Sequence, residues 1–271
     1  MPMEFLNEVC IPKSNSETPG LNLTPGEFIR YLGVSLLMCS YPGVPFAHFW
    51  SSEPQTMFSA HPVIPSEVMA RDRYTRITSC LKLTDEQVAY RDPFLHVRKL
   101  YDAWNENMER KFVPGWLSCL DESMIAWMTS RSCPGWMFVP RKPHPNGSEV
   151  HTIADAHTRI IYRVELVEGK DAPPERPVPQ PNFAGKPTIG LIQRLTKPIW
   201  HTGKVVIMDS GFCVLEAIVA LFRDKGVYSS AVIKKRRYWP KGIDGAAMDA
   251  AVAGLRVLCN LVRYLGRTPK T

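Results

Sequence analysis

Two aspartates sit where apolar sequence would not be expected to carry a charge. Asp121 lies inside the stretch from Trp116 to Trp127, among Leu117, Leu120, Met124 and Ile125, and Asp209 directly follows Val205, Val206, Ile207 and Met208. A carboxylate in a buried strand costs several kcal/mol in desolvation unless a cation or hydrogen-bond donors meet it. The first run therefore predicts a largely buried strand with something cationic beside Asp121. The second predicts a short buried strand that ends in Asp209, with Ser210-Gly211 and a helical pattern after it. Two strands that each deliver an aspartate to one place can hold a divalent metal through oxygen ligands. Asp209 has a competing reading as the N-cap of the helix that follows, stabilised by its dipole. Glu122 alternates away from Asp121 on an extended strand, so it is expected to face solvent or a basic neighbour.

Positioning two such acids requires the rest of the chain to build a sheet and cover it. Residues 1–22 mix Pro, Ser, Asn and Gly without a period and read as a flexible tail. Thr24-Pro25-Gly26-Glu27 has the form of a capping box, opening a helix whose apolar face is Phe28, Ile29, Leu32, Leu36 and Leu37. Tyr41 to Pro65 reads as loops. Ser66 is a candidate N-cap for a helix with Met69, Tyr74, Ile77 and Leu81 inside and Arg71, Arg73, Arg76 and Lys82 outside. Those four cations either touch phosphates or form a solvated face.

A helix over about Val97 to Phe112 ends at Pro114-Gly115 and makes 23–113 an all-helical region. After the Asp121 strand, Trp136–Pro140, Glu149–Asp155 and Ile160–Val167 read as extended, the last two forming a hairpin that turns at Asp155-Ala156-His157-Thr158. A proline-dense surface loop over 171–187 precedes a short helix, the Asp209 strand, an amphipathic helix ending near Gly226 and a last strand from Val227 to Ile233. This places an α/β core over 114–233. A basic segment and a C-terminal helix then occupy 234–271.

Composition narrows the partners. Thirty-three Lys and Arg against twenty-six Asp and Glu leave +7, which favours a polyanion, nucleic acid first. Seven scattered cysteines without a Cys-x-x-Cys pair argue for reduced thiols, against a disulfide scaffold and against a zinc finger. No apolar run reaches membrane-spanning length, so no membrane partner is expected. Isolated histidines such as His151 and His157 read as ordinary hydrogen-bonded residues.

The order strand with Asp, hairpin, helix, strand with Asp, helix, strand is that of a ribonuclease H-like domain. Several short segments sharpen this: Asp121-Glu122-Ser123-Met124-Ile125, Pro140-Arg141-Lys142-Pro143 followed by Asn146-Gly147, and Ile207-Met208-Asp209-Ser210-Gly211-Phe212. Upstream, Met69 to Tyr74, Leu81-Lys82-Leu83, Asp92-Pro93 and Val97 to Leu100 extend the likeness. Together they resemble the transposase domain of the piggyBac family over roughly residues 24–242.

The resemblance implies a DDD-type DNA transposase, in which three carboxylates hold two divalent ions, Mg2+ or Mn2+, that activate a nucleophile for attack on a phosphodiester. On that mapping Asp121 and Asp209 are the first two catalytic, metal-holding acids. Arg141, Lys142, Lys234, Lys235, Arg236 and Arg237 lie where DNA phosphates pass. The resemblance also implies a nuclear location and leaves room for a homodimer. The family's third aspartate lies far beyond the second, so the domain is expected to be incomplete, truncated before that acid, and inactive. A domesticated, non-catalytic DNA- or protein-binding module is the alternative. Asp244, thirty-five positions after Asp209, and the nearby Asp249 receive no role, because Lys241 to Gly245 reads as a turn.

Overall fold

A computed structural model of the chain describes residues 2–51, 61–127, 133–140, 142–233, 242 and 244. They fall into two compact units that divide between Asn107 and Met108.

The first unit is helical from its start. Helix α1 (Met3–Phe5), a π-helical turn (Leu6–Cys10) and α2 (Ile11–Glu17) follow one another without a break. The flexible tail expected over 1–22 is therefore a correction. Leu6, Cys10, Ile11 and Leu21 are buried in the core of this unit. The polar residues that suggested a tail are spent internally. Ser14 donates its hydroxyl to the Cys10 carbonyl and accepts the Lys82 N–H, while Asn15 bonds both the N–H and the C=O of Leu23.

Helix α3 (Pro25–Cys39) starts as its sequence dictates, with the Thr24 hydroxyl accepting the Glu27 N–H. Its buried residues are Phe28 and Val34, whereas Ile29 and Leu36 are exposed, so the predicted apolar face is rotated. A 3-10 turn (Phe46–Trp50) puts Phe49 in the core and aims the Trp50 indole N–H at the Met69 carbonyl, 2.7 Å away. That bond holds Met69 in a turn, and α4 (Arg71–Cys80) begins after it, with Ala70 and not Ser66 at its N-cap. All four cations on this segment have partners within the unit: Arg73 both oxygens of Glu27 and the Leu21 carbonyl, Arg76 the Gly20 carbonyl, Lys82 Glu17 and Arg71 the adjacent Asp72. Helix α5 (Leu95–Lys111) leads out of the unit.

The second unit is a mixed sheet with helices. Its strands are β1 (Leu117–Ala126), β2 (Trp136–Phe138), β3 (Asn146–Asp155), β4 (Ile161–Leu166), β5 (Val205–Met208) and β6 (Tyr228–Ala231). β3 pairs antiparallel with β1 along one edge and with β2 and β4, end to end, along the other. On its far side β1 pairs in parallel with β5, and β5 with β6. The central strand is thus antiparallel to one neighbour and parallel to the other, which is the ribonuclease H-like arrangement the sequence predicted. Parallel neighbours need crossovers, and α6 (Pro187–Thr196) and α7 (Leu215–Lys225) supply them. Ile189, Ile192 and Leu195 of α6 and Ala217 and Leu221 of α7 cover Leu120, Ile153, Val206 and Met208, all buried. Each such side chain contributes about 1.5–3 kcal/mol by leaving water. Gly226 ends α7 in the left-handed region at φ 60°, as the sequence implied.

Candidate functional site

The register of β1 on β5 decides where the two acids meet. Leu117 lies beside Val205, Ser118 beside Val206, Cys119 beside Ile207 and Leu120 beside Met208. Asp121 and Asp209 each follow the last pair of that ladder, Leu120 and Met208, at its carboxyl end, where strands run about 4.8 Å apart. Leu120 and Met208 are buried on one face. Alternation therefore turns Asp121 to the other, and Asp121 and Asp209 are both exposed. The fold thus places each predicted acid directly after the last pair of one parallel ladder.

The reason first given for Asp121 needs correcting. Beyond Leu120, β1 has no β5 neighbour, and Trp116, Ile125 and Trp127 are exposed, so Asp121 is not in a buried strand and carries no large desolvation cost. One of its oxygens accepts the Glu122 N–H at 2.8 Å, and its carbonyl accepts the Thr152 hydroxyl at 3.3 Å. The competing role for Asp209 also falls. Helix α7 begins at Leu215 with Val214 as its N-cap and no side-chain cap, well past Asp209. Asp209 instead heads a tight turn, its carbonyl accepting the Phe212 N–H at 3.0 Å. Phe212 is buried and meets the edge of the His151 ring at 5.4 Å between centroids, which pins the turn to β3.

The expected cation is present, one residue away from the position predicted. Lys142 donates its ammonium to the Glu122 carbonyl at 3.1 Å and stands 3.8 Å from the Glu122 carboxylate. Burial and the Asp121 carboxyl beside it push the Glu122 carboxyl above its usual range, with Lys142 opposing them. Glu122 thus has the basic neighbour that alternation suggested. Arg141, Lys234 to Arg237 and Asp249 lie outside the described residues. Asp244 is exposed and outside any helix or strand.

Among the described residues no group of three or more His, Cys, Asp or Glu side chains is placed to hold a metal. The pair itself fits a small hard cation. Magnesium takes one or two carboxylates and keeps several waters, and two exposed carboxylates at the end of adjacent strands offer that donor set.

Residues 7–251 match the family model described as Transposase IS4. The chain belongs to the Transposase IS4 family. Among solved structures it is similar to the piggyBac transposase in a synaptic complex with hairpin DNA, with a TM-score of 0.67 and 17% identity over 91% of this chain. The chain spans about half of that protein, 52% of its length. No curated protein matches it. The likeness in fold agrees with the piggyBac-type, ribonuclease H-like reading of the sequence.

Alternation along β1 also carries a signal that the apolar reading hid. Asp121, Ser123, Ile125 and Trp127 share one face, so Ile125 and Trp127, taken as core, lie on the same side of the sheet as Asp121.

Proposed function

We propose that this transposase-family chain is the catalytic-fold portion of a piggyBac-type, transposable-element-derived protein. It binds DNA across the face bearing Asp121 and Asp209 and holds one magnesium or manganese ion between them. With those two acids alone it cleaves strands weakly or not at all. The observation that carries this reading is that Asp121 and Asp209 each directly follow the last pair of one parallel ladder, Leu120 and Met208. The similar solved transposase is a complex with hairpin DNA, which supports DNA as the partner here.

A bound divalent ion supplies Lewis-acid activation of a water or 3′-hydroxyl and neutralises charge at the phosphodiester. The protein's part is positional. Asp121 is fixed by the Glu122 N–H, and Asp209 by the turn that Phe212 anchors. Lys142, with Arg141 and the Lys234–Arg237 run, attracts phosphates without reading sequence. A homodimer acting in the nucleus is the setting that this family reading implies.

The alternative, a domesticated binding module without chemistry, draws on the absence, among the described residues, of a group of three or more His, Cys, Asp or Glu side chains placed to hold a metal. Labelled duplex DNA separates the readings. The proposal expects binding that weakens steeply with salt, as counterion release requires, and that strengthens in Mg2+ for the wild type but not for Asp121→Asn or Asp209→Asn. Equal binding with and without chelator, with no cleavage, supports the metal-free module. Absence of DNA binding at low salt overturns both.

A further inference from the structure

β2 adds to the acid-bearing face a group of side chains that the metal pair does not use. Trp136 lies opposite Ser148, which lies opposite Ile125. One row further, Phe138 lies opposite Asn146, whose carbonyl accepts the Trp127 N–H at 3.0 Å. Residues directly opposite one another in a sheet share a face. Ile125, Trp127, Trp136 and Phe138 therefore stand together on the side of the sheet that carries Asp121. Ile125 is 44% exposed, Trp127 43% and Phe138 57%. Monomeric proteins seldom leave such a group open without a use for it.

We propose that Trp127 and Phe138 form a stacking platform for unpaired nucleobases of a DNA strand whose backbone passes Asp121 and Asp209. This rests on the DNA-processing reading above. Three observations select that occupant. The exposed residues are dominated by aromatic rings, and every base offers a π-face to stack on, worth roughly a factor of ten in affinity or more per base. The platform begins about 13 Å from Asp121 at Ile125 and reaches about 20 Å at Trp127, at roughly 3.3 Å per residue of strand. That is about four to six nucleotides at the rise of a B-form strand. The chain's net charge of +7 suits a polyanionic strand. The backbone beneath is built to be close: a Cβ on Gly147 would lie 2.1 Å from the Ile125 carbonyl oxygen. β1 and β3 are thereby drawn together directly under the rings.

The test compares two DNAs on the full chain by fluorescence anisotropy: a blunt duplex, and the same duplex with a six-nucleotide single-stranded 3′ extension. The platform predicts at least tenfold tighter binding of the extended DNA. That advantage is lost in the double variant Trp127→Ala, Phe138→Ala and retained in Trp127→Tyr, with blunt-duplex affinity the same in all three. Matching thermal unfolding of wild type and variants establishes that folding is intact, and Trp127→Phe with Phe138→Tyr serves as a conservative second pair. Equal affinity for the two DNAs overturns the platform and leaves the DNA reading standing, whereas failure to bind either DNA overturns both. A chain that sediments as a dimer and becomes monomeric in the double alanine variant assigns this face to a second copy, and also overturns the proposal.

Discussion

Asp155 shows how much of a carboxylate's role depends on what reaches it. It is buried at the β3–β4 corner, where the Thr158 N–H and hydroxyl bond one oxygen and the Gly115 N–H bonds the other. Those donors, the Thr158 backbone first, hold its carboxyl below the usual range. A native value below the unfolded one, about 3.9, means stability that is fully present above pH 4 and is lost as pH falls through the lowered native value. Asp155→Asn should cost about 1–3 kcal/mol at pH 7, because an amide NH2 would face buried donors. In urea unfolding from pH 7 to pH 2, the gap between wild type and variant should close below pH 4, and a gap constant with pH would refute the assignment. The sequence placed Asp155 in the hairpin turn but could not foresee Gly115 as its partner, a contact made by the fold. For Asp121 and Asp209 the situation was reversed. That both follow neighbouring strands was legible from the apolar residues before each acid, while the exposure of Asp121 was not, since it follows from β5 ending at Met208.

At the level of elements, strands and helices were legible where polarity alternates or caps are explicit, as at Thr24 and Gly226. They were not legible where polar side chains bond their own backbone, as Ser14 and Asn15 do in the N-terminal helices. The α3–α4 contact also turns an apparent DNA-binding stripe into structure. Glu27 takes both Arg73 nitrogens at 2.7 Å, and its carboxyl is held low chiefly by that bond. Arg73→Ala should therefore lower the stability of the helical unit by about 1–3 kcal/mol. It should leave the salt dependence of DNA binding unchanged, and a slope reduced by about one would restore Arg73 as a phosphate contact. In the sheet, Gly147→Ala places a methyl against the Ile125 carbonyl. Opening β1 from β3 should cost at least about 1–3 kcal/mol, read as faster amide exchange at Trp127 with little change at Ser118. Uniform protection along β1 would argue against the close approach.

On the scale of the whole molecule, a parallel–antiparallel sheet covered by two crossover helices puts two acids at one end of a strand pair and aromatic rings further along the same face. The chain's excess positive charge favours a polyanionic partner. The proposed metal pair rests on Asp121 and Asp209 each following the last pair of the β1–β5 ladder. Both acids are exposed, so replacing either by Asn should leave folding intact and isolate the effect on metal. Electron paramagnetic resonance titration with Mn2+ is the most direct test. The account predicts one bound ion per folded chain, its affinity falling at least tenfold in Asp121→Asn and equally in Asp209→Asn, with unfolding midpoints unchanged. An ion bound as tightly in either variant as in the wild type would contradict it.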